Sequence, residues 1–393
     1  MDRLTRVRLR LTVKRFMKGY LTAVACCWKK TLEKITQTNQ RLAPCRSVRD
    51  VIIIGAGPAG CAAAIALSKA GLDVLLIDAK KFPRRKACGG CLNAVSVGFM
   101  QQLLPAATAE ELWRGSIPLK KFHVYHNQRS IPLAMDEGGF AVDRAEMDFV
   151  LAQHAESLGV EFLSPAKAKL TESTKDLRSV EMTTNGMTKS QIAKVVVMPC
   201  GLGNNAAGPF ERFQPTPAPH SRLGIEAVLD TFPAEYQAGS LCMAIGSHGY
   251  VGLTHIGNDR LHVAAAVDRS TLQQLGPSAA VETLMYQSGA PPLMQSDVAW
   301  RGTPALTAQA PTVADDRVFV IGDAAGYVEP FTGEGIRWAQ ENGIGVAPFV
   351  TSAVAQWDPQ VAVDYRRWYR QTISARQKLC RHLARGLKRS SVR

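Results

Sequence analysis

The chain has 393 residues, of which 46% are hydrophobic, with nine cysteines and a formal net charge of +14. This length and composition are typical of an enzyme with a large buried core, and they exclude a disordered or fibrous chain. The cysteines follow no regular spacing, which excludes a small secreted domain held together by disulfides.

The positive charge is concentrated at the two ends of the chain. Residues 1–49 contain thirteen Lys or Arg against two acids, and residues 365–393 contain ten Lys or Arg and no acid. We therefore expect a basic N-terminal extension over 1–47 and a basic helical arm over 351–393, which can contact an anionic membrane peripherally. The alternative for the arm is a terminal helix packed on the core. We expect no nucleic-acid partner, because the chain carries no recognition motif.

One short apolar stretch, from Gly19 to Trp28, interrupts the basic N-terminal segment. A membrane-spanning helix needs about 20 apolar residues, so this stretch is too short to cross a bilayer. It also lacks a clear cleavage site and a twin-arginine pair, which makes it a poor signal peptide. We expect a cytoplasmic protein, with peripheral contact at the inner face of the membrane as a further hypothesis.

The first chemical motif lies between Val51 and Asp78. Val51–Ile54 is a continuous β-branched run, as in a parallel strand that is buried on both faces. A second apolar run ends in Asp78, where a carboxylate bonds ribose hydroxyls. Between them lies a loop with GxGxxG spacing, followed by a helical segment; the loop residues are Gly55, Ala56, Gly57, Pro58, Ala59 and Gly60. Strand, loop, helix and acid together predict a dinucleotide site, with a pyrophosphate at the helix N-terminus.

The second motif begins with another apolar strand, Val318–Ile321, which runs into Gly322 and Asp323. An acid at the carboxyl end of a parallel strand lies where ligands bind in such sheets. A loop then opens a helix whose N-terminus can stabilise negative charge on a bound ring. This loop contains Pro330, Gly333 and Gly335.

In these residues the chain resembles the flavoprotein superfamily of geranylgeranyl reductases, flavin-dependent halogenases and aromatic-ring hydroxylases. The segment GDAAGYVEPFTGEGI, from Gly322 to Ile336, is most similar to the geranylgeranyl reductase branch. The resemblance implies an FAD cofactor, with Asp323 bonded to its ribitol chain and the loop from Pro330 to Gly335 against its isoalloxazine. The first motif also favours FAD over FMN, because FMN has no pyrophosphate to bind.

Two further segments carry the same resemblance. Residues 82–90 read FPRRKACGG and are similar to a PRxKxCGG element of that branch, which implies that Arg85 and Cys88 belong to the cofactor loop. Residues 140–148 read FAVDRAEMD and resemble a segment whose arginine reaches FAD, here Arg144.

Three departures limit what the resemblance implies about the reaction. Hydroxylases usually carry an Asp-Gly pair after a middle strand, where this chain has Cys200 and Gly201. The tryptophan-rich GWxWxIP element of halogenases is absent, so halogenation is not expected. The aromatic run of geranylgeranyl reductases is reduced to Gly249–Leu253, without Trp or Pro, so the substrate is left open.

Cys88 and Cys91 have the CxxC spacing of a redox dithiol or of half a metal site. No second CxxC or CxxH segment is present, so no metal site is expected. A flavin-disulfide reductase that uses Cys88 and Cys91 is one alternative, although such enzymes normally carry a second dinucleotide motif. In the interpretation we favour, Cys88 belongs to the cofactor loop and Cys91 is a small buried residue.

The predicted fold class is α/β, with a Rossmann-like FAD-binding domain interleaved with a smaller antiparallel-sheet substrate domain. The FAD-binding domain is expected over 48–210 and 300–350, and the substrate domain over 211–299, to which 121–140 can also belong. In the substrate domain the segments around Gly257-Asn258-Asp259 predict a hairpin. Candidate proton-transfer groups are Tyr250 and His255 on this hairpin and Cys88 in the cofactor loop, with His248 and His262 nearby.

The sequence thus predicts an FAD-dependent oxidoreductase. The leading hypothesis is hydride transfer at flavin N5 to or from a carbon–carbon bond of a hydrophobic, isoprenoid or lipid substrate. The alternative is an FAD-dependent monooxygenase that uses a flavin hydroperoxide. The external electron donor, NAD(P)H or another reductant, and the oligomeric state are left open.

Overall fold

The computed structural model describes residues 48–390 without residues 136, 137, 175, 204, 258, 294–297, 330 and 332. For Ser173, Asn205 and residues 383–390 only the backbone is described. The predicted extension 1–47, Asn258 of the predicted hairpin and Pro330 of the second motif therefore lie outside the described residues.

The strands are numbered in chain order and are β1 Arg49–Ile54, β2 Val74–Ile77, β3 Cys91–Leu92, β4 Ile117–Pro118, β5 Lys121–His126, β6 Arg129–Ala134, β7 Phe140–Ala141, β8 Glu161–Leu163, β9 Lys167–Ser173, β10 Arg178–Thr184, β11 Met187–Met198, β12 Thr216–Pro217, β13 Leu223–Leu229, β14 Ser240–Gly246, β15 Gly249–Ile256, β16 Arg260–Val267, β17 Arg301–Ala305, β18 Ala308–Gln309, β19 Ala314–Asp315, β20 Val318–Val320 and β21 Gly326–Tyr327. The helices are α1 Pro58–Lys69, α2 Ala94–Leu103, α3 Ala106–Arg114, α4 Arg144–Ser157, α5 Arg269–Ser288, α6 Gly335–Gly345, α7 Ala347–Ala355, α8 Pro359–Tyr369 and α9 Ala375–Ser390.

A mainly parallel sheet forms the first core. Its order is β19-β20-β11-β1-β2-β8, in which all strands but β19 run parallel. The strands β1 and β2 are buried on both faces, which explains why they are unbroken apolar runs in the sequence. The carboxyl ends of β1, β2 and β20 lie at one edge of this sheet, so the segments that follow them converge there.

A seven-stranded sheet forms the second core, with the order β17-β13-β16-β15-β14-β5-β6. It is antiparallel except between β14 and β5. Because side chains alternate along a strand, one face of this sheet packs on α5 through residues such as Val251 and Val263. At the centre of the other face lie the small residues Gly252, Ala264 and Ala266, which leave space beside the sheet.

The predicted fold class is confirmed by the parallel core and the separate antiparallel sheet, and the predicted hairpin is the β15–β16 pair. The strands β5 and β6 join the antiparallel sheet, as expected for the segment that can belong to the substrate domain. Strand β17, which we expected in the last part of the FAD-binding domain, pairs instead with β13. The chain therefore returns to the parallel sheet only after Ala305, because β17 completes the edge of the second sheet.

The C-terminal arm begins as a core element. Tyr365 in α8 is fully buried, and its hydroxyl donates to the Val320 carbonyl (3.1 Å) and accepts from Asn342 Nδ2 (2.8 Å). Tyr369 and Ile373 are also buried, whereas Leu379 in α9 is 63% exposed. Within the part of the chain that the structure describes, no helix is long and apolar enough to cross a membrane. Peripheral membrane contact stays a prediction.

Candidate active site

The glycine-rich loop after β1 turns sharply into α1. Gly55 has a φ of +125°, and a Cβ on it would lie 2.6 Å from the Pro199 carbonyl oxygen. A Cβ on Gly60 would lie 1.8 Å from the Gly55 carbonyl oxygen, so the loop and the helix touch through their backbones. No side chain caps α1 at Gly57. The N–H groups of its first turn can therefore bind an anion such as a pyrophosphate.

Asp78, at the end of β2, lies beside this loop. Its Oδ2 accepts a hydrogen bond from the Ala56 N–H (3.0 Å), and its Oδ1 accepts one from the Lys80 N–H (2.9 Å). Arg84 Nη2 lies 3.2 Å from Asp78 Oδ2. The sequence resemblance had pointed to Arg85, which instead lines a small neighbouring cavity. Arg84 is therefore the arginine that the structure brings to Asp78, the acid that is predicted to bind the ribose.

Arg84 also reaches a buried ion network on α4. Its Nη1 lies 3.1 Å from Asp148 Oδ2, and Asp148 in turn accepts from Arg144 Nη2 at 2.9 Å. Asp148 is fully buried and Arg144 nearly so. Burial alone would lower the pKa of Arg144, but the charge of Asp148 more than compensates and raises it. Arg144 is thus a permanent cation that Asp148 orients, and its contact with FAD stays a prediction. Asp148 gave no sequence signal of this role.

The second motif lies two strands away at the same edge of the parallel sheet. The N–H of Gly322, whose φ is +61°, donates to Asn342 Oδ1 on α6 (2.9 Å). The following Asp323 has its Oδ2 at 3.9 Å from Lys86 Nζ, which belongs to the cofactor loop. A Cβ on Gly343 would lie 2.3 Å from the Ala59 carbonyl oxygen, so α6 packs directly on α1. This close packing holds the two motifs in a fixed relation.

A cavity of about 540 Å³ joins the two motifs to the seven-stranded sheet. Pro58 from the first motif and Asp323, Gly333 and Gly335 from the second form its floor. The roof is the face of the antiparallel sheet that carries the small central residues. Most of its lining side chains are apolar and include Phe122, Leu133, Leu241, Met243 and Leu306. The cavity therefore offers a polar floor for a cofactor and an apolar roof for a hydrophobic molecule.

Tyr250 and His255, two candidate proton donors, lie on opposite faces of β15. Side chains alternate along a strand, and the two positions differ by an odd number, five. Tyr250 lines the cavity and packs edge-on against Phe331, with ring centroids 5.2 Å apart. His255 faces the other side of the sheet, where its Nε2 lies 2.5 Å from the Tyr236 carbonyl oxygen. The structure thus places His255 away from the cavity, so it is not positioned to donate a proton to a ligand there.

The Tyr250 hydroxyl has no hydrogen-bond partner among the described residues. Burial, reinforced by the charge of Glu329, raises the pKa of Tyr250 well above its ordinary value. Glu329 itself accepts from Arg222 Nη1 at 2.7 Å beneath the ring. Tyr250 is therefore a neutral hydroxyl in an apolar wall, available to bind a polar group of a ligand.

Glu226 is a cavity residue that sequence reasoning missed. It lies on β13 and is 4% exposed, with Oε2 at 2.6 Å from His262 Nε2 on β16. Burial alone would raise the pKa of Glu226, but the hydrogen bond and charge of His262, with Arg301, lower it. The pair was not visible in the sequence, because 36 residues separate its members and only the β13–β16 register brings them together.

Cys88 and Cys91 both line the cavity, as does Arg144. Burial raises the pKa of Cys91 to about 12, so this residue is a thiol rather than a thiolate near neutral pH. Thiol–disulfide exchange requires the thiolate. The raised pKa therefore gives little support to the flavin-disulfide reductase alternative, although Cys91, which we expected to be buried, is only half-buried.

The residues at the cavity floor fit FAD. The uncapped start of α1 and Asp78 would hold its adenosine diphosphate half, and Asp323, Gly333 and Gly335 its flavin half. A Cβ on Gly333 would meet no atom within 4 Å, so the floor is open beside the second motif. Arg144 lies along the same cavity. The assignment of these residues to the cofactor stays a proposal of ours, and Pro330 lies outside the described residues.

Comparisons with known proteins agree with an FAD-dependent oxidoreductase. The family described as FAD dependent oxidoreductase matches residues 50–169. Menaquinone reductase from Mycobacterium tuberculosis is 27% identical over 349 residues, which cover 81% of this chain and 81% of that protein. Digeranylgeranylglycerophospholipid reductase 1 from Methanothermobacter thermautotrophicus is 27% identical over 353 residues, or 84% of this chain and 82% of that protein.

Among solved structures, the flavin-dependent brominase Bmp2 shares the fold with a TM-score of 0.70, at 18% identity and over 87% of each chain. The fold, the double motif and these similarities define a flavoprotein with a Rossmann-like FAD-binding core. The chain is an FAD-dependent oxidoreductase, similar in sequence to menaquinone reductase and to digeranylgeranylglycerophospholipid reductase, and it shares its fold with a flavin-dependent brominase.

Proposed function

We propose that this enzyme reduces carbon–carbon double bonds of a hydrophobic, isoprenoid-type substrate. The observation that carries this proposal is the cavity, in which an apolar sheet face lies opposite the motif around Asp323. Two relatives are by name reductases of menaquinone and of digeranylgeranylglycerophospholipid, and both of these molecules carry polyprenyl chains. Their similarity over four fifths of the chain supports the proposal.

When bound and reduced, FAD supplies a hydride from N5 of its ring. The residues of the roof bind the substrate, because each buried methylene of an apolar chain contributes about 0.8 kcal/mol. Phe122, Leu133 and Met243 also keep water from the reacting carbons. The N-terminus of α6, which begins at Gly335, directs its positive end to the cavity floor and stabilises negative charge there.

We also propose that the substrate enters at the edge of the roof, from a membrane surface. Ile131 and Leu133 lie on the edge strand β6 and are 52% and 48% exposed. Leu133 lines the cavity as well, so the apolar wall continues from the interior to the surface. The double variant Ile131→Ser/Leu133→Ser should weaken sedimentation with phosphatidylglycerol vesicles. Unchanged sedimentation would contradict entry at this edge.

The reduction is tested with dithionite-reduced holoenzyme, mixed anaerobically with menaquinone or with digeranylgeranylglycerophospholipid. We expect the oxidised flavin spectrum to return and the product to gain two hydrogens per turnover. A quinol reverts to the quinone in air, so hydrogens that persist after aeration locate the reduction in the polyprenyl chain. Product formation that requires oxygen would instead support the monooxygenase alternative. If neither compound reoxidises the flavin without oxygen, the proposal fails.

A further inference from the structure

Two titratable groups, Glu226 and His262, form a buried pair in the wall between two cavities. Glu226 lines both the large cavity and a small one of about 20 Å³, whereas His262 lines only the small one. The two side chains are 4% and 6% exposed. Their 2.6 Å contact joins Glu226 Oε2 to His262 Nε2. The pair therefore forms a continuous hydrogen-bonded connection from the small cavity to the large one.

Burial of this pair in an otherwise apolar roof lowers the stability of the folded protein. Burying a carboxylate costs several kcal/mol even when it is paired, and apolar side chains of similar size are often as stable or more so. The cavity-facing neighbours of Glu226 across the sheet are Ala264 and, on the next strand, Gly252, so a small apolar residue would suit this place. A buried ionisable pair at the wall of a substrate cavity is thus a candidate for proton transfer rather than for stability.

Charged groups from three segments face the pair. Arg301 on β17 lies 3.4 Å from Glu226 Oε1, and the small cavity is lined by Arg85, Lys86, Arg144 and Asp143. The excess of positive charge stabilises Glu226 as a carboxylate after it has lost a proton. Tyr250, the other titratable group of the roof, has no such connection, because its hydroxyl has no hydrogen-bond partner among the described residues.

We propose that Glu226 protonates the substrate and that His262 returns the proton to Glu226 from the small cavity. The inference rests on the proposed reduction and supplies the proton that this reaction requires in addition to the hydride. With a hydride supplied to one alkene carbon by bound, reduced FAD, Glu226 would pass a proton to the other carbon as it takes the His262 proton through the 2.6 Å contact, so Glu226 is a carboxylate before and after the step. The reaction would leave a carbon–carbon single bond, oxidised FAD and a neutral imidazole, which takes a proton from solvent. A two-electron donor, dithionite in the test, reduces FAD again.

The test uses Glu226→Gln, His262→Gln and a matched control, His255→Gln, which removes a buried histidine on the opposite face of the same sheet. Under anaerobic conditions with reduced holoenzyme, the gain of air-stable hydrogens by the polyprenyl chain of menaquinone should slow by about 100-fold in Glu226→Gln, as is typical when a general acid is lost. The rate of the wild type should fall as pH rises, and Glu226→Gln should lose that dependence. His255→Gln should keep both the rate and the pH profile.

A second readout needs neither substrate nor cofactor. In protein labelled with ¹³C-histidine, the ring signal that His262→Gln removes should change its chemical shift at fixed pH in Glu226→Gln, because the ring loses its 2.6 Å partner. An unchanged signal, or an unchanged rate in Glu226→Gln, would overturn the pair as a proton path. If the wild type itself fails to turn over while the histidine signal changes as expected, the proposed reduction fails and the hydrogen-bonded pair stands.

Discussion

Arg84 and Asp78 are joined by two contacts, of 3.3 Å from Nε and 3.2 Å from Nη2 to the same carboxylate oxygen. The remaining nitrogen of the guanidinium group reaches Asp148 on α4. One arginine therefore ties the acid that follows β2 to the helix that carries Arg144. The cofactor loop is held in place by this contact, before any cofactor is bound.

Replacement of Arg84 should weaken FAD binding. In Arg84→Ala the carboxylates of Asp78 and Asp148 each lose a charged partner in a nearly buried place. The expected loss of stability is about 3 kcal/mol, and the expected loss of FAD affinity is tenfold or more. Fluorescence titration with FAD and urea unfolding measure the two effects. Arg85→Ala is the control, and an equal loss in this control would show that the ion network does not hold the cofactor loop.

A larger side chain in the roof should block hydrophobic ligands and spare the cofactor. A Cβ on Gly252 would meet only the Ala264 carbonyl oxygen, at 3.6 Å, so valine fits the backbone at this position and fills part of the cavity. We expect Gly252→Val to raise the KM for a polyprenyl substrate about tenfold with unchanged FAD affinity. Gly302→Val, on β17 with no atom within 4 Å, is the control. Tight substrate binding in Gly252→Val would place the substrate elsewhere.

Tyr250→Phe should stabilise the protein without FAD. The variant removes a buried hydroxyl that has no partner among the described residues, and such a group costs about 1–3 kcal/mol. Its melting temperature should therefore rise. If the hydroxyl binds a polar group of the substrate, KM should increase while kcat is kept. A hundredfold fall in kcat would instead make Tyr250 the proton donor and would contradict the assignment to Glu226.

Cys91 should behave as an inert thiol. Because burial raises its pKa to about 12, the thiolate fraction at pH 8 is about one in ten thousand. Iodoacetamide should modify it about a thousandfold more slowly than a free cysteine, with a rate that rises tenfold per pH unit. Anaerobic titration should consume one two-electron equivalent per FAD. Consumption of two equivalents would reveal a redox disulfide and would revive the disulfide reductase alternative.

The sequence by itself determined the parallel core and the cofactor motifs. Strands β1 and β2 are buried on both faces, so they are unbroken apolar runs, and the glycine spacing between them follows from backbone contacts such as the one between Gly60 and Gly55. These features depend on residues close together in the chain, and local patterns reveal them. The β15–β16 hairpin was predictable for the same reason.

Only the tertiary structure decided which side chains meet in the cavity. His255 and Tyr250 belong to one strand, and the face on which each lies depends on which side of the sheet the second core occupies. Arg84 and Arg85 are neighbours in the chain, but only the folded loop shows which of them reaches Asp78. Glu226 and His262 meet through the register of two strands. Such contacts depend on how the folded loops and strands pack, so a single sequence carries no local signal of them.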